Sequence, residues 1–215
     1  VVVGQGEFSV AEATVSAVEG GADVVVTVLR EGGAFGTVTV AWSVGVAGLP
    51  SNATAAVEGQ DFDAASGELT FEFSVTSATF TVPVLDSGSE WRPDRSFVVA
   101  LSAPSGTATL GHTPSLVVTV TDSDPLPLIA ADAGTIVNEY AGFITMVVRR
   151  SVNVAGNASV GYTVVTTGAG FTLPIALPAN GTLHFSAGES IKTFQVAVAD
   201  DGFSDATYTR EVTLT

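Results

Sequence analysis

Leu69, Phe71 and Phe73 alternate with polar neighbours, and Phe80, Val82 and Val84 repeat the alternation a few residues later. Strict alternation puts every second side chain on one face, the signature of a half-buried strand rather than a helix. The polar stretch SVTSA from Ser74 lies between them, so the whole reads as a β-hairpin. The pattern returns at Leu183 and Phe185, then at Phe194, Val196 and Val198, with Gly188 in the turn. The pairs Gly67/Gly181, Leu69/Leu183, Phe71/Phe185, Phe80/Phe194, Val82/Val196, Val84/Val198 and Asp86/Asp200 each stand 114 positions apart. A period of this length marks a tandem domain, not a short solenoid unit.

A second register holds nearer the start of each copy. Phe8/Leu128, Glu19/Glu139, Val26/Met146, Val28/Val148, Arg30/Arg150, Val40/Val160 and Trp42/Tyr162 stand 120 positions apart. The first copy therefore carries about six extra residues, in the loop between Gly48 and Ser66 that holds Pro50, Asn52, Asp61 and Asp63. Strands are predicted at Phe8–Ala11 with Val15–Ala17, then at Val24–Leu29, Val38–Val44, Leu69–Phe73, Phe80–Leu85, Phe97–Leu101 and Leu116–Thr121. Seven short strands with turn signals between them describe an all-β, two-sheet sandwich of immunoglobulin-like character, with Trp42 in its core. Two such sandwiches, residues 1–124 and 125–215, are expected end to end. Val1–Val3 read as the tail of a preceding strand, and EVTLT at the end matches VVALS at Val98–Ser102. The second sandwich is thus expected to lack its last strand, leaving a ladder for a continuing or separate segment to fill. Pro125 and Pro127 make the joint TDSDPLPL stiff, which predicts rod-like stacking.

Composition narrows the function. Hydrophobic residues make up 46% of 215 and charged residues only 13%, which suits folded β domains. The net charge is −15, with Lys192 the single lysine and six arginines, so nucleic acid and anionic membrane surfaces are not expected as partners. No cysteine is present, which rules out disulfides and thiolate metal sites. No apolar run is long enough to span a bilayer, so direct membrane insertion is not expected. His112 and His184 have no acid or nucleophile at motif spacing, and no nucleophile elbow or phosphate loop occurs, so an enzyme is not expected.

Several motifs together resemble a known family. VEGG at Val18–Gly21, QDFD at Gln60–Asp63, SGELTF, RPDRSFVVALS at Arg92–Ser102, GTATLG at Gly106–Gly111 and VTVTDSD at Val118–Asp124 are similar to the pattern of Calx-beta domains. NEYAG, VVRR, NGTLHFSAGESIKTFQVAVADDG and TREVTLT continue the resemblance in the second copy. The resemblance implies calcium bound at one tip of the sandwich by acidic loop residues. The matching positions in the first copy are Glu19, Asp61, Asp86, Asp122 and Asp124. This copy departs from the family where two glutamates usually precede the Phe97 strand: it has Arg92 and Arg95, and Ser87 replaces the second of two aspartates. A guanidinium ~5 Å from a divalent ion repels it by ~6–7 kcal/mol at an effective dielectric near 20. Millimolar binding is worth only ~4 kcal/mol. The first site is therefore expected to be degraded. Either the two arginines replace the ion, pairing with some of Glu19, Asp61, Asp86 and Asp122, or they are solvated surface residues. The second copy keeps Glu139, Asp200 and Asp201, a weak calcium candidate or simply a polar turn, and its counterpart of QDFD, FTLPIALPANG, lacks the aspartates.

Three sequons, at Asn52, Asn157 and Asn180, are candidate glycosylation sites, although Asn180 with Gly181 could instead form a tight turn. The resulting expectation is an extracellular or cell-surface repeat segment of a long stalk or fibre that mediates protein-protein assembly, with protein partners or neighbouring copies. The alternative is a calcium-binding regulatory module of a membrane-associated protein. The two differ in whether the acidic cluster is retained.

Overall fold

A computed structural model describes residues 4–138, 141–167, 180–198 and 209–215. The chain divides into two compact units, one of Val1–Gly88 with Arg92–Ser123, the other of Ser89–Trp91 with Asp124–Thr215. The expectation for Val1–Val3 lies outside the described residues.

In the first unit, β1 (Glu7–Val10) and β2 (Thr14–Val18) are two short strands in different sheets. β3 (Val24–Glu31) and β4 (Val38–Gly45) follow, then β5 (Ser66–Phe71), β6 (Ser77–Val82), β7 (Arg95–Ser102), β8 (Thr109–Leu110) and β9 (Ser115–Thr121). One sheet runs β6-β3-β1-β8 and the other β2-β9-β7-β4-β5. Inward positions alternate as the sequence pattern requires, most plainly along β3 and β9. Phe8, Val26, Val28, Val40, Phe71, Phe97, Val99 and Val118 form the core between the sheets.

The expected hairpin is instead a corner between sheets. β5 pairs with β4, Leu69 opposite Val40, whereas β6 pairs with β3, Phe80 opposite Val26. Alternation reports that a strand has one buried face but not which neighbour it pairs with, so two adjacent half-buried strands mimic a hairpin. The corner also corrects the end of β5. The strand stops at Phe71, Ser74 takes φ 67°, and Phe73 is carried outside to stand 63% exposed, edge-on to Phe35 at 6.1 Å.

The repeated glycine has a packing cause. Gly67 opposes Trp42 across β5 and β4, and a Cβ there would lie 2.8 Å from the indole. The indole can therefore lie across the glycine and stack on Phe80 at 4.1 Å, closing the gap between the two sheets. Trp42 is thus partly buried at the rim of the core, not in its centre. The second unit repeats the device: Gly181 opposes Tyr162, which stacks on Phe194 at 4.0 Å.

The inserted loop contributes to the core as well. Phe62 is buried and stacks on Phe97 at 4.8 Å, and Ala56 and Thr54 exchange backbone hydrogen bonds with Ser96 beyond the end of β4. Burying one phenyl ring contributes ~1.5–3 kcal/mol, enough to pin a loop of this length.

In the second unit, β10 (Leu128–Ala131), β11 (Phe143–Ser151) and β14 (Ile191–Ala197) form one sheet, ordered β10-β11-β14. β13 (Asn180–Phe185), β12 (Ala158–Thr167) and β15 (Thr209–Leu214) form the other, ordered β13-β12-β15. β13 and β14 again belong to different sheets. Among the described strands β15 pairs with β12 alone, where its counterpart β7 has both β4 and β9.

Arg30 and Arg150, matched in the repeat, are both buried. Neither meets a carboxylate among the described residues. Arg30 donates to the backbone carbonyls of Gln5 (2.8 Å), Glu72 (3.2 Å), Phe35 (2.8 Å) and Gly36 (3.1 Å). Arg150 donates to those of Asn153 (2.9 Å) and Gly156 (2.5 Å). Each guanidinium gathers the loop ends around it, and its charge is answered by carbonyl dipoles.

Candidate cation site

Parallel pairing of β2 with β9 decides where the acids that follow these two strands meet. Val18 lies opposite Thr121, so the residues that follow, Glu19 on one strand and Asp122 to Asp124 on the other, leave the sheet at the same end. Glu19 N–H bonds to Thr121 O at 3.0 Å and Gly20 N–H to Leu85 O at 3.3 Å, which brings the segment after β6 to the same tip. Gly20 takes φ 60°, and a Cβ on it would lie 3.0 Å from the Asp86 Cβ, so the VEGG turn needs glycine there.

Carboxylate oxygens of Glu19, Asp122 and Asp124 lie within 4.8 Å of one another. Glu19 is buried, and its two oxygens accept from Ser87 Oγ (2.7 Å) and from Ser123 N and Oγ (3.4 and 3.5 Å). Three carboxylates so placed repel one another by ~3.5 kcal/mol per pair at an effective dielectric near 20, which a shared cation would reverse. Calcium holds oxygens at 2.3–2.6 Å, so ligands on opposite sides of one ion stand ~5 Å apart. The spacing and the all-oxygen donor set both fit that ion.

Asp61 and Asp86 stand apart from the trio. Asp61 is buried; its Oδ2 accepts from Val57 N at 2.6 Å, and its Oδ1 lies 3.6 Å from Arg92 Nη1. Asp86 is exposed, and its Oδ1 accepts from Gly88 N at 2.8 Å. Arg92 also donates from Nη1 to Gln60 Oε1 (3.0 Å), from Nη2 to Ser87 O (2.9 Å) and from its backbone N–H to Asp122 Oδ2. Of the two arginines read either as replacing the ion or as solvated surface residues, Arg92 lies beside Asp61. Arg95 begins β7, and its buried Nε has no hydrogen-bond partner among the described residues.

A profile of the Calx-beta domain matches residues 4–124 and again 128–215. The chain belongs to the Calx-beta family. Its two units are tandem Calx-beta domains, all-β throughout the described residues. Among solved structures, the "calcium binding domain CBD12 of CALX1.1" aligns with 97% of this chain and 79% of its own, at 20% identity and TM-score 0.51. "CBD12 from CALX1.2" aligns with 96% and 79%, at 20% identity and TM-score 0.50. At that identity the likeness speaks to fold. No curated protein matches the chain.

In the second Calx-beta domain, Glu139, Asp200 and Asp201 lie outside the described residues. The sequons are placed more fully. Asn52 is exposed on a turn of the inserted loop. Asn157 is exposed and accepts from Ala187 N at 3.1 Å. Asn180 is the exposed first residue of β13, opposite Thr163, rather than part of a tight turn. His112 and His184 are both exposed. Sequence reasoning missed Asn153, a buried side chain whose Nδ2 donates to the carbonyls of Ser89 and Pro125, both at 3.0 Å. Nothing in the residue pattern marks it. Among the described residues, two displaced titrations belong to the second domain. The Lys192 ammonium, with Ser186 N–H, holds the Glu189 carboxyl below its ordinary range. The hydrogen-bonded Asp132 carboxylate raises Arg149.

Proposed function

We propose that this tandem pair is a calcium-binding regulatory module of a membrane-associated protein, with a calcium ion held in the first domain by Glu19, Asp122 and Asp124. The observation that carries the reading is the convergence of those three carboxylates within 4.8 Å. The ion would neutralise their repulsion and tie the ends of β2 and β9 together. Its part is structural and regulatory, not catalytic. The calcium binding named for the CBD12 structure of CALX1.1 supports the same reading.

Calorimetric titration of the chain with calcium, with thermal melting in parallel, tests it. Binding in the sub-millimolar to millimolar range, ~10⁻⁴–10⁻³ M, is expected. A concentration of 100 times Kd stabilises the domain by ~2.7 kcal/mol. Glu19→Gln and Asp122→Asn should each abolish that gain. Absence of both heat and melting shift at ~10 mM calcium, well above that affinity range, would sink the reading.

A second reading is favoured by Arg92, whose guanidinium nitrogen stands 3.6 Å from the Asp61 carboxylate. On that reading the chain is an adhesive spacer segment of a long extracellular stalk, glycosylated at exposed Asn52 and Asn157 and engaging protein partners or neighbouring copies. Melting indifferent to calcium, together with glycan mass on the secreted protein, is its expected result.

A further inference from the structure

Asp61 is only 3% exposed, and a carboxylate that deep requires a compensating charge or donors. Around the guanidinium of Arg92 stand a carboxylate oxygen of Asp61, the amide oxygen of Gln60 and the carbonyl oxygen of Ser87. A carboxylate, a side-chain amide and a backbone carbonyl are the mixed hard-oxygen set that a calcium ion also draws. Here a cation belonging to the chain stands among them. We propose that Arg92 is a tethered cation that takes the place of a divalent ion at Asp61, leaving one half of the tip permanently assembled and only the Glu19, Asp122 and Asp124 half open to an ion from solution. The one-ion count for the natural protein rests on the calcium reading above; the role of Arg92 at Asp61 does not.

The two halves share residues. Ser87, whose carbonyl receives Nη2, donates its hydroxyl to Glu19, and the Arg92 backbone N–H donates to Asp122. Arg92 is thus also a positioning residue for Glu19 and Asp122. A tethered charge has no dissociation constant, so chelators cannot remove it. The half around Asp61 should keep its geometry at any calcium concentration, and the open half should respond from a partly ordered state at a lower entropic cost. Arg95, three residues on, provides the control, because it is another arginine at the start of β7 with no partner at its Nε among the described residues.

The test is calorimetry and melting of the full chain and of Arg92→Gln, each with chelator and with ~10 mM calcium. The variant should melt roughly 5–10 °C lower in chelator, because a buried carboxylate loses its cation. Calcium should restore at least half of that fall, and the stoichiometry should rise by one ion over the natural chain. Adding Asp61→Asn to Arg92→Gln should recover the chelator melting point and abolish the extra ion. If the single variant does not fold, Arg92→Lys answers instead. It keeps the charge and should melt within a few degrees of the natural chain without gaining an ion. Arg95→Gln should gain none. A natural chain that binds no calcium while Arg92→Gln binds one removes the trio reading and upholds the tethered cation. The tethered cation is overturned if Arg92→Gln melts low without calcium rescue, if its stoichiometry does not rise, or if Arg92→Lys takes up an additional ion.

Discussion

Arg30→Met puts the strongest demand on the fold of the first domain. The guanidinium is 2% exposed and gives four hydrogen bonds to backbone carbonyls drawn from three places: the segment before β1, the turn after β3, and the corner after β5. Methionine keeps most of the apolar stem, so the cavity left behind is small and the loss falls on the hydrogen bonds. Carbonyls at the end of a sandwich can recruit water. Taking ~1 kcal/mol per bond, below the usual range for charged donors, the loss is ~4 kcal/mol. Against a domain stability of ~5–15 kcal/mol that is severe. At ~3–4 °C per kcal/mol for a unit of this size, the calorimetric transition of the first domain should drop by ~12–16 °C. Arg150→Met removes two such bonds. It should lower the transition of the second domain by about half as much, ~6–8 °C. A drop below ~4 °C for Arg30→Met, or one no larger than that for Arg150→Met, would refute the reasoning and mean that water replaces the guanidinium at little cost.

Two further outcomes follow from the packing and the charges. Gly67→Val should force the Trp42 indole off Phe80, since a Cβ at that position meets the ring at 2.8 Å; a loss of ~2–3 kcal/mol and of near-ultraviolet circular dichroism is expected, and unchanged spectra would show that the stack is dispensable. Gly181→Val should do the same to Tyr162. Glu189 should titrate below its ordinary range by NMR, because Lys192 and Ser186 favour its charged form. Its folded-state value is depressed, so its contribution is present above the unfolded value and is lost as the pH falls through the folded one. Lys192→Met should move the titration upward, and an unmoved carboxyl would refute the pair.

The two-domain division of the fold, its all-β class and most strand positions were legible because burial on one face leaves a two-residue beat, and tandem copies make that beat appear twice. Pairing was not legible. Leu69 and Phe80 each announce an inward face, yet nothing in either strand says that one bonds to Val40 and the other to Val26. The acids of the tip could be located by motif, but their division could not. Glu19, Asp122 and Asp124 converge because β2 runs parallel to β9, a long-range register that no local pattern encodes. Arg92 is brought to Asp61 from the loop before β7, whereas Arg95, inside the strand, is not. Phe62 escaped notice because its neighbours are acidic and it lies in the inserted loop, where no alternation marks an inward side chain.

The two kinds of arginine in this chain constrain sequence change differently. Arg92 needs a particular side chain across from it, so loss of Asp61 would have to be matched by change at Arg92. Arg30 and Arg150 bind atoms that every residue possesses. The loops they hold are free to diverge in length and composition as long as their carbonyls arrive, and here they have: Gln5, Phe35, Gly36 and Glu72 surround the first guanidinium, Asn153 and Gly156 the second. A domain fastened in this way can vary its loops from copy to copy without surrendering the fastening.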